Sequence, residues 1–216
     1  RPRGLRFARH VSKKGRNPLD DVRMERRTSV ITNPDGSVVF KMEGAEIPAE
    51  WSQLATDIVV SKYFRKAGLF GDKNRGETSV RQVVGRIAHT IRTAGERFGG
   101  YFATTEDADA FEAELSFFLV NQQGAFNSPV WFNCGLWHAY QVKGAGGNWA
   151  WDDRAQTTTK KGAKRVAEND APIYEIDNAY ERPQCSACFI QAVDDDLMSI
   201  YDLVKHEARL FKYGSG

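Results

Sequence analysis

The sequence has little that would tie it to a membrane or to a disulfide-stapled secreted fold. Its longest apolar runs fall far short of the ~20 residues that cross a bilayer. No apolar stretch follows the basic N-terminus to make a signal peptide. Three cysteines in 216 residues are few and odd in number for a disulfide framework, so a reducing cytoplasm is the expected setting. A net charge of only +2 selects no class of partner, and no segment repeats. Acids are missing from residues 1–16, which hold seven Lys or Arg. What remains is 41% hydrophobic and 27% charged, a soluble globular composition for one domain or one and a half.

Residues 1–18 form a basic arm without apolar periodicity, expected as a solvated tail; nucleic-acid binding is the sharper alternative, unsupported by aromatic interleaving. Residues 19–135 read as a hairpin followed by helices. Asn33-Pro34-Asp35-Gly36 lies between two β-branched runs, with proline presetting φ and glycine supplying φ > 0. From Ile47 to Ala67, Trp51, Leu54, Ala55, Ile58, Val59 and Tyr63 recur at helical spacing, with Pro48 placed in the first turn. Ser79 and Gln82 are spaced as a capping box before the stripe Val80, Val83, Val84, Ile87 and Ile91. A third helix is expected from about Thr105, burying Phe111, Leu115, Phe118 and Leu119. The stretch 122–135 breaks the period around an Asn-Ser-Pro turn. Residues 136–182, with three tryptophans, a threonine triplet and a basic run from Lys160 to Arg165, read as a loop-rich insertion. A final helix carries Leu197, Ile200, Tyr201, Val204, Ala208 and Phe211 on one face.

Chemistry concentrates at 183–216. Cys185 and Cys188 have the spacing of a zinc or redox pair. Zinc needs further ligands, for which Cys134 and His138 are the candidates, and the spacing matches no common module. A thioredoxin-type pair wants a helix N-terminus, whereas Cys188 leads into a strand-like run. Inert thiols, or Cys188 reacting alone with a distant cysteine, remain open. Asp194, Asp195 and Asp196 suit helix caps, and an exposed one suits a ribose hydroxyl. Gly214-Ser215-Gly216 is by itself a weak sign of a backbone approaching a phosphate.

PQCSACFIQAVDDDLMSI (183–200) and FKYGSG (211–216), together with AFNSPVWFN (125–133), resemble the adenosylcobalamin-dependent (class II) ribonucleotide reductases. MERRTSVIT (24–32), IPAEWSQLATDIVVSKYFR (47–65) and SVRQVVGRIAHTI (79–91) resemble the N-terminal part of the same family. The resemblance implies a mainly α N-terminal domain with a β-hairpin, leading at 183–216 into the first strand and helix of a ten-stranded α/β barrel. It makes Cys188 one half of the redox-active disulfide that reduces the 2′-carbon. Ser128, Ala187, Cys188 and Gly216 fall on substrate-binding positions, and Asp195 and Lys212 on contacts to a deoxynucleotide effector. The helix at 195–213 would pair with its counterpart in a homodimer. Cys134 and Cys185 receive no role from the resemblance.

The family's radical-bearing cysteine, its neighbouring asparagine and glutamate, the disulfide partner and the C-terminal pair reduced by a thioredoxin-type protein all come later than Gly216. The isolated chain is therefore expected to be inactive without the rest of the enzyme, where adenosylcobalamin generates the thiyl radical. The stop inside the Gly-Ser-Gly stretch reads as a truncation, an incomplete gene product or one half of a split gene. The alternatives are a class I large-subunit fragment, separable by a cobalamin requirement, and a non-catalytic nucleotide-binding module, which Cys188→Ser would leave unaffected.

Overall fold

The computed structural model describes residues 4–151 and 173–212. Strands β1 (Met24–Thr32) and β2 (Val38–Pro48) pair antiparallel, with irregularities near Thr28 and next to the turn. The turn is built as its residues predict. Gly36 has φ 83°, its amide donates to the Asn33 carbonyl at 2.9 Å, and the Asp35 carboxylate accepts from the Ser37 amide and hydroxyl at 2.9 and 2.6 Å.

The next helix departs from the expected pattern. Pro48 closes β2 rather than opening a helix. The helix starts later: the Ser52 hydroxyl accepts from the Ala55 amide at 3.1 Å, and α1 covers only Gln53–Ile58. A π turn, Val59–Tyr63, follows and ends with the Phe64 amide bonded to the Val59 carbonyl at 2.9 Å. Widening the turn shifts the register, so Val59, Val60 and Phe64 are buried while Leu54 and Ile58 face out.

Helix α2 (Val80–Phe98) has the predicted capping box and buries Val80, Val83, Val84 and Ile87 completely. Helix α3 (Thr105–Val120) is capped one residue earlier than expected, by Thr104, whose hydroxyl accepts from the Asp107 amide at 3.2 Å. Its buried positions are Ala108, Ala110, Ser116, Leu119 and Val120. Of the aromatic face expected for it, Phe118 is exposed and Phe111 only half-buried. Phe111 packs instead against Phe7 of the arm and Phe102, while Asp109 and Glu112 of α3 bind Arg92 of α2. The hairpin, α1, α2, α3 and the segment after α3 enclose one core that includes Ile47, Val60, Val84, Ile87, Val120 and Trp131. Each large side chain buried there contributes roughly 1.5–3 kcal/mol.

The basic arm is docked, not loose. Leu5 bridges to Phe102, and Phe7 packs edge-on against Phe102 and Phe111. The Phe7 amide donates to Asp107 at 2.8 Å, and Glu106 takes Arg9 and Lys14 at 2.9 and 3.1 Å. Glu114 accepts from the amides of His10, Val11 and Ser12 and from the Ser12 hydroxyl. The acids of α3 thus serve the arm as well as the helix dipole.

Helix α4 (Ser128–Asn133) adds Val130 and Trp131 to this core, and after it come α5 (Leu136–Tyr140), the antiparallel pair β3 (Asn148–Trp151) and β4 (Ile173–Ile176), and α6 (Leu197–Lys212), which buries no residue. The threonine triplet, the Lys160–Arg165 run and Gly214-Ser215-Gly216 lie outside the described residues. Among the described residues no helix is long and apolar enough to cross a membrane.

Candidate functional site

One buried ion pair anchors the segments that carry the candidate residues. The side chains of Arg86 and Glu77, with Nε and Oε1 2.8 Å apart, are both 0% exposed. Arg86 also donates to the carbonyls of Cys134 (2.5 Å), Trp131 (2.7 Å) and Tyr63 (3.3 Å). Glu77 accepts from the Tyr140 hydroxyl at 3.0 Å and the Arg65 amide at 2.8 Å. Burial first, and then the Glu77 charge, push the Tyr140 hydroxyl above the ordinary phenol range, so it stays a donor. A buried pair holds a unique arrangement only when its remaining donors and acceptors are met, and here they reach the π turn, α4 and α5 together.

Gly135 shows how closely these parts approach. Its φ is 84°, and a Cβ there would stand 2.5 Å from the Arg86 carbonyl oxygen. Only glycine takes that conformation at that distance without strain.

Ser128 opens α4, followed by Pro129 in the first turn, where a missing amide hydrogen does no harm. The Ser128 hydroxyl is half-buried and lies 3.1 Å from the Tyr63 hydroxyl. The Tyr63 ring in turn stacks on Trp131, with centroids 5.7 Å apart. The π turn therefore aims one hydroxyl at another.

The approach to Cys188 is fixed from behind. The Asn178 side-chain oxygen accepts from the amides of Gly144 and Tyr180 at 2.7 and 3.1 Å, and His138 lies 3.3 Å from the Glu181 carbonyl. Cys185 then packs against the core cluster that includes buried Cys134. The neighbouring Cys185 thiol and then burial push Cys134 up, while the neighbouring Cys134 thiol holds Cys185 down against its own partial burial. Cys188, three residues on, is exposed and Ala187 half-buried. The zinc set considered from sequence does not assemble; among the described residues no group of three His, Cys, Asp or Glu is placed to hold a metal ion. The run from Cys188 to Val193, expected as a strand, has no strand partner among the described residues, and Ile190 is 103% exposed. A first barrel strand is satisfied by neighbours from later in the chain, and its side chains by the helices that cover it.

The three aspartates divide their work. Asp196 caps α6 by accepting from the Ser199 amide at 3.0 Å, and the Ser199 hydroxyl accepts from the Asp194 amide at 3.0 Å. Asp195 makes no hydrogen bond among the described residues. Lys212 ends α6, about 25 Å from Asp195 along the helix axis at 1.5 Å per residue. One chain does not bring these two together. Gly216 lies outside the described residues. Sequence reasoning missed Tyr63 and the Glu77–Arg86 pair. A charge inside the run Val83-Val84-Gly85-Arg86-Ile87-Ala88 was a visible signal for the latter. The meeting of Cys134 with Cys185 had none.

The described region is largely helical and holds one buried, one half-buried and one exposed thiol. The family described as "Class II vitamin B12-dependent ribonucleotide reductase" matches residues 25–122. Over 99% of its length the chain is 43% identical to a vitamin B12-dependent ribonucleotide reductase of Rhodopirellula baltica, covering 19% of that protein. It is 38% identical over 98% of its length to the Agrobacterium fabrum protein of the same description and 40% identical over 99% to that of Streptomyces clavuligerus, covering 18% of each. The chain thus spans less than a fifth of these relatives. It belongs to the class II, vitamin B12-dependent ribonucleotide reductase family and corresponds to the N-terminal region of the catalytic chain.

Proposed function

We propose that this chain forms one wall of the active site of an enzyme that reduces ribonucleoside diphosphates to 2′-deoxyribonucleotides for DNA synthesis. The observation that carries the reading is that Cys188 alone of the three free thiols is exposed, within a chain similar throughout to proteins named as such reductases. Cys188 and a second thiol outside these residues give two electrons and two protons. The 2′-hydroxyl leaves as water, and the resulting disulfide is returned to thiols by a thioredoxin-type dithiol through exchange. Ser128, oriented by Tyr63, and the backbone at Ala187 and Gly216 line the substrate.

The deoxynucleotide effector lies between two copies. With Asp195 and Lys212 at opposite ends of α6, an antiparallel pairing of two such helices sets Asp195 of one beside Lys212 of the other. The exposed Leu197, Ile200, Tyr201, Val204 and Phe211 supply the apolar face for that pairing. Adenosylcobalamin, when bound to the complete enzyme, supplies radical chemistry. Three open cavities among the described residues, of about 480, 420 and 260 Å³, are of ordinary small-molecule size. They are smaller than a corrinoid and do not fit one.

The test is Cys188→Ser in the complete chain, assayed for deoxyribonucleotide formation with adenosylcobalamin and a dithiol. Loss of turnover is expected. Unchanged turnover would sink the catalytic reading and favour a nucleotide-binding module.

A further inference from the structure

Cys134 and Cys185 are 51 positions apart in the sequence, yet the fold brings them together: Cys185 packs against the core cluster to which Cys134 belongs. Both line an open cavity of about 480 Å³ between the C-terminal half of α2 and residues 181–185, with Thr90, Arg97 and His138 among its other walls. Cys134 is buried and Cys185 half-buried, so one thiol is sheltered and the other reachable by a small solute. The site just described uses neither. We propose that Cys134 and Cys185 form a reversible, peroxide-driven disulfide that fastens the segment leading to Cys188 onto the end of α4. This holds whether or not Cys188 acts on a ribonucleotide.

The two thiols have unequal parts. Cys185, whose thiol is held below its usual range by the neighbouring Cys134 thiol, is the nucleophile, since the thiolate is the reactive form. Its sulfur attacks a hydroperoxide, breaking the O–O bond to give a sulfenic acid and a hydroxide or alkoxide. The Cys134 thiol then displaces the sulfenic oxygen as water, forming the S–S bond. Two electrons pass from the thiols to the peroxide. A dithiol reductant reverses the change by exchange. The competing partner for Cys185 is Cys188, at CxxC spacing, but that thiol is exposed while Cys134 shares the cavity wall with Cys185.

The experiment exposes the purified protein to hydrogen peroxide, alkylates the remaining thiols and maps the tryptic peptides by mass spectrometry. A linked pair containing Cys134 and Cys185, released by dithiothreitol with both thiols again alkylatable, is expected. A Cys185–Cys188 link would overturn the proposal. So would oxidised Cys185 beside a fully alkylatable Cys134, or no reaction of either at peroxide levels that consume free cysteine. In a second arm, Cys134→Ala removes the resolving thiol. Dimedone should then trap a sulfenic acid at Cys185 that it does not trap in the parent protein, and equal trapping in both would refute the assignment of roles. The parent-protein map needs no variant and decides the question if Cys134→Ala does not fold.

Discussion

Replacing Arg86 by methionine removes the cation bonded directly to Glu77 and leaves only the charge of half-buried Lys66 to act on it. Glu77 is left with its side chain fully buried, keeping the Tyr140 hydroxyl and the Arg65 amide but losing its counter-charge. Breaking a buried pair from one side typically costs about 3–5 kcal/mol. The carbonyls of Tyr63, Trp131 and Cys134 lose their donor as well, and each such loss costs about 1–3 kcal/mol where water cannot replace it. These penalties overlap, so about 4 kcal/mol is the working figure, against roughly 5–15 kcal/mol for a whole domain. At about 2–4 °C per kcal/mol for a chain of this size, Tm should fall by roughly 8–16 °C. Urea unfolding followed by the fluorescence of the buried Trp51 and Trp131 gives the free energy directly by linear extrapolation. The charge-free double variant Glu77→Leu/Arg86→Met should recover part of the loss, with a coupling of about 2–3 kcal/mol. A cost below about 1 kcal/mol for Arg86→Met, or strict additivity in the double variant, would refute the reasoning.

Two further outcomes follow from local geometry. Gly135→Ala should destabilise by more than the ~1 kcal/mol of an ordinary incompatible glycine replacement, because positive φ and contact with the Arg86 carbonyl act together; thermal unfolding reads it. The basic arm should detach in acid. Glu106 is held below the ordinary carboxylate range by Arg9 and Lys14, Asp107 by the Thr104 hydroxyl and Phe7 amide, and Glu114, against its burial, by the donors of Ser12, Val11 and His10. A lowered folded-state pKa contributes stability that is present above the unfolded value near ~4 and lost as pH falls through the folded one. Amide exchange at Phe7 and Ser12 should therefore be slow at neutral pH and accelerate below about pH 4. Equal exchange at both pH values, after correction for intrinsic rates, would count against docking by these acids.

What could be read from the sequence was local. The Asn33–Gly36 turn and the Ser79–Gln82 capping box are spelled out within four residues, and both form with the expected partners. The stripe on α2 repeats often enough to fix its buried face. Errors arose where a distant element decides. Pro48 is compatible with a helix start and with a strand end, and pairing with Met24 selects the strand. Phe118 fits a buried stripe, yet it is exposed while Leu119 and Val120 beside it enter the core. The arm has no periodicity because its order comes from carboxylates about a hundred residues away. Of the candidate site, Ser128 and Cys188 were legible through motifs. Tyr63 was not, since its hydroxyl reaches Ser128 only because the π turn rotates it there.

The same distinction explains why a charge is buried beneath this region. A leucine at position 86 would fill the space between α2 and α4 and avoid desolvating a guanidinium. It would leave the ends of the π turn and of α4 to be placed by apolar contacts, which fix volume better than direction. Arg86 instead binds three carbonyls at defined angles, so Ser128 at one end of α4 and Cys134 just past the other are set by one side chain. The charge-free double variant separates the two effects. If Arg86 serves position rather than stability, that variant should regain part of the lost stability yet form the Cys134–Cys185 link more slowly, because the carbonyl of Cys134 is no longer held. An unchanged rate of linkage at recovered stability would mean that packing alone holds Cys134 in place.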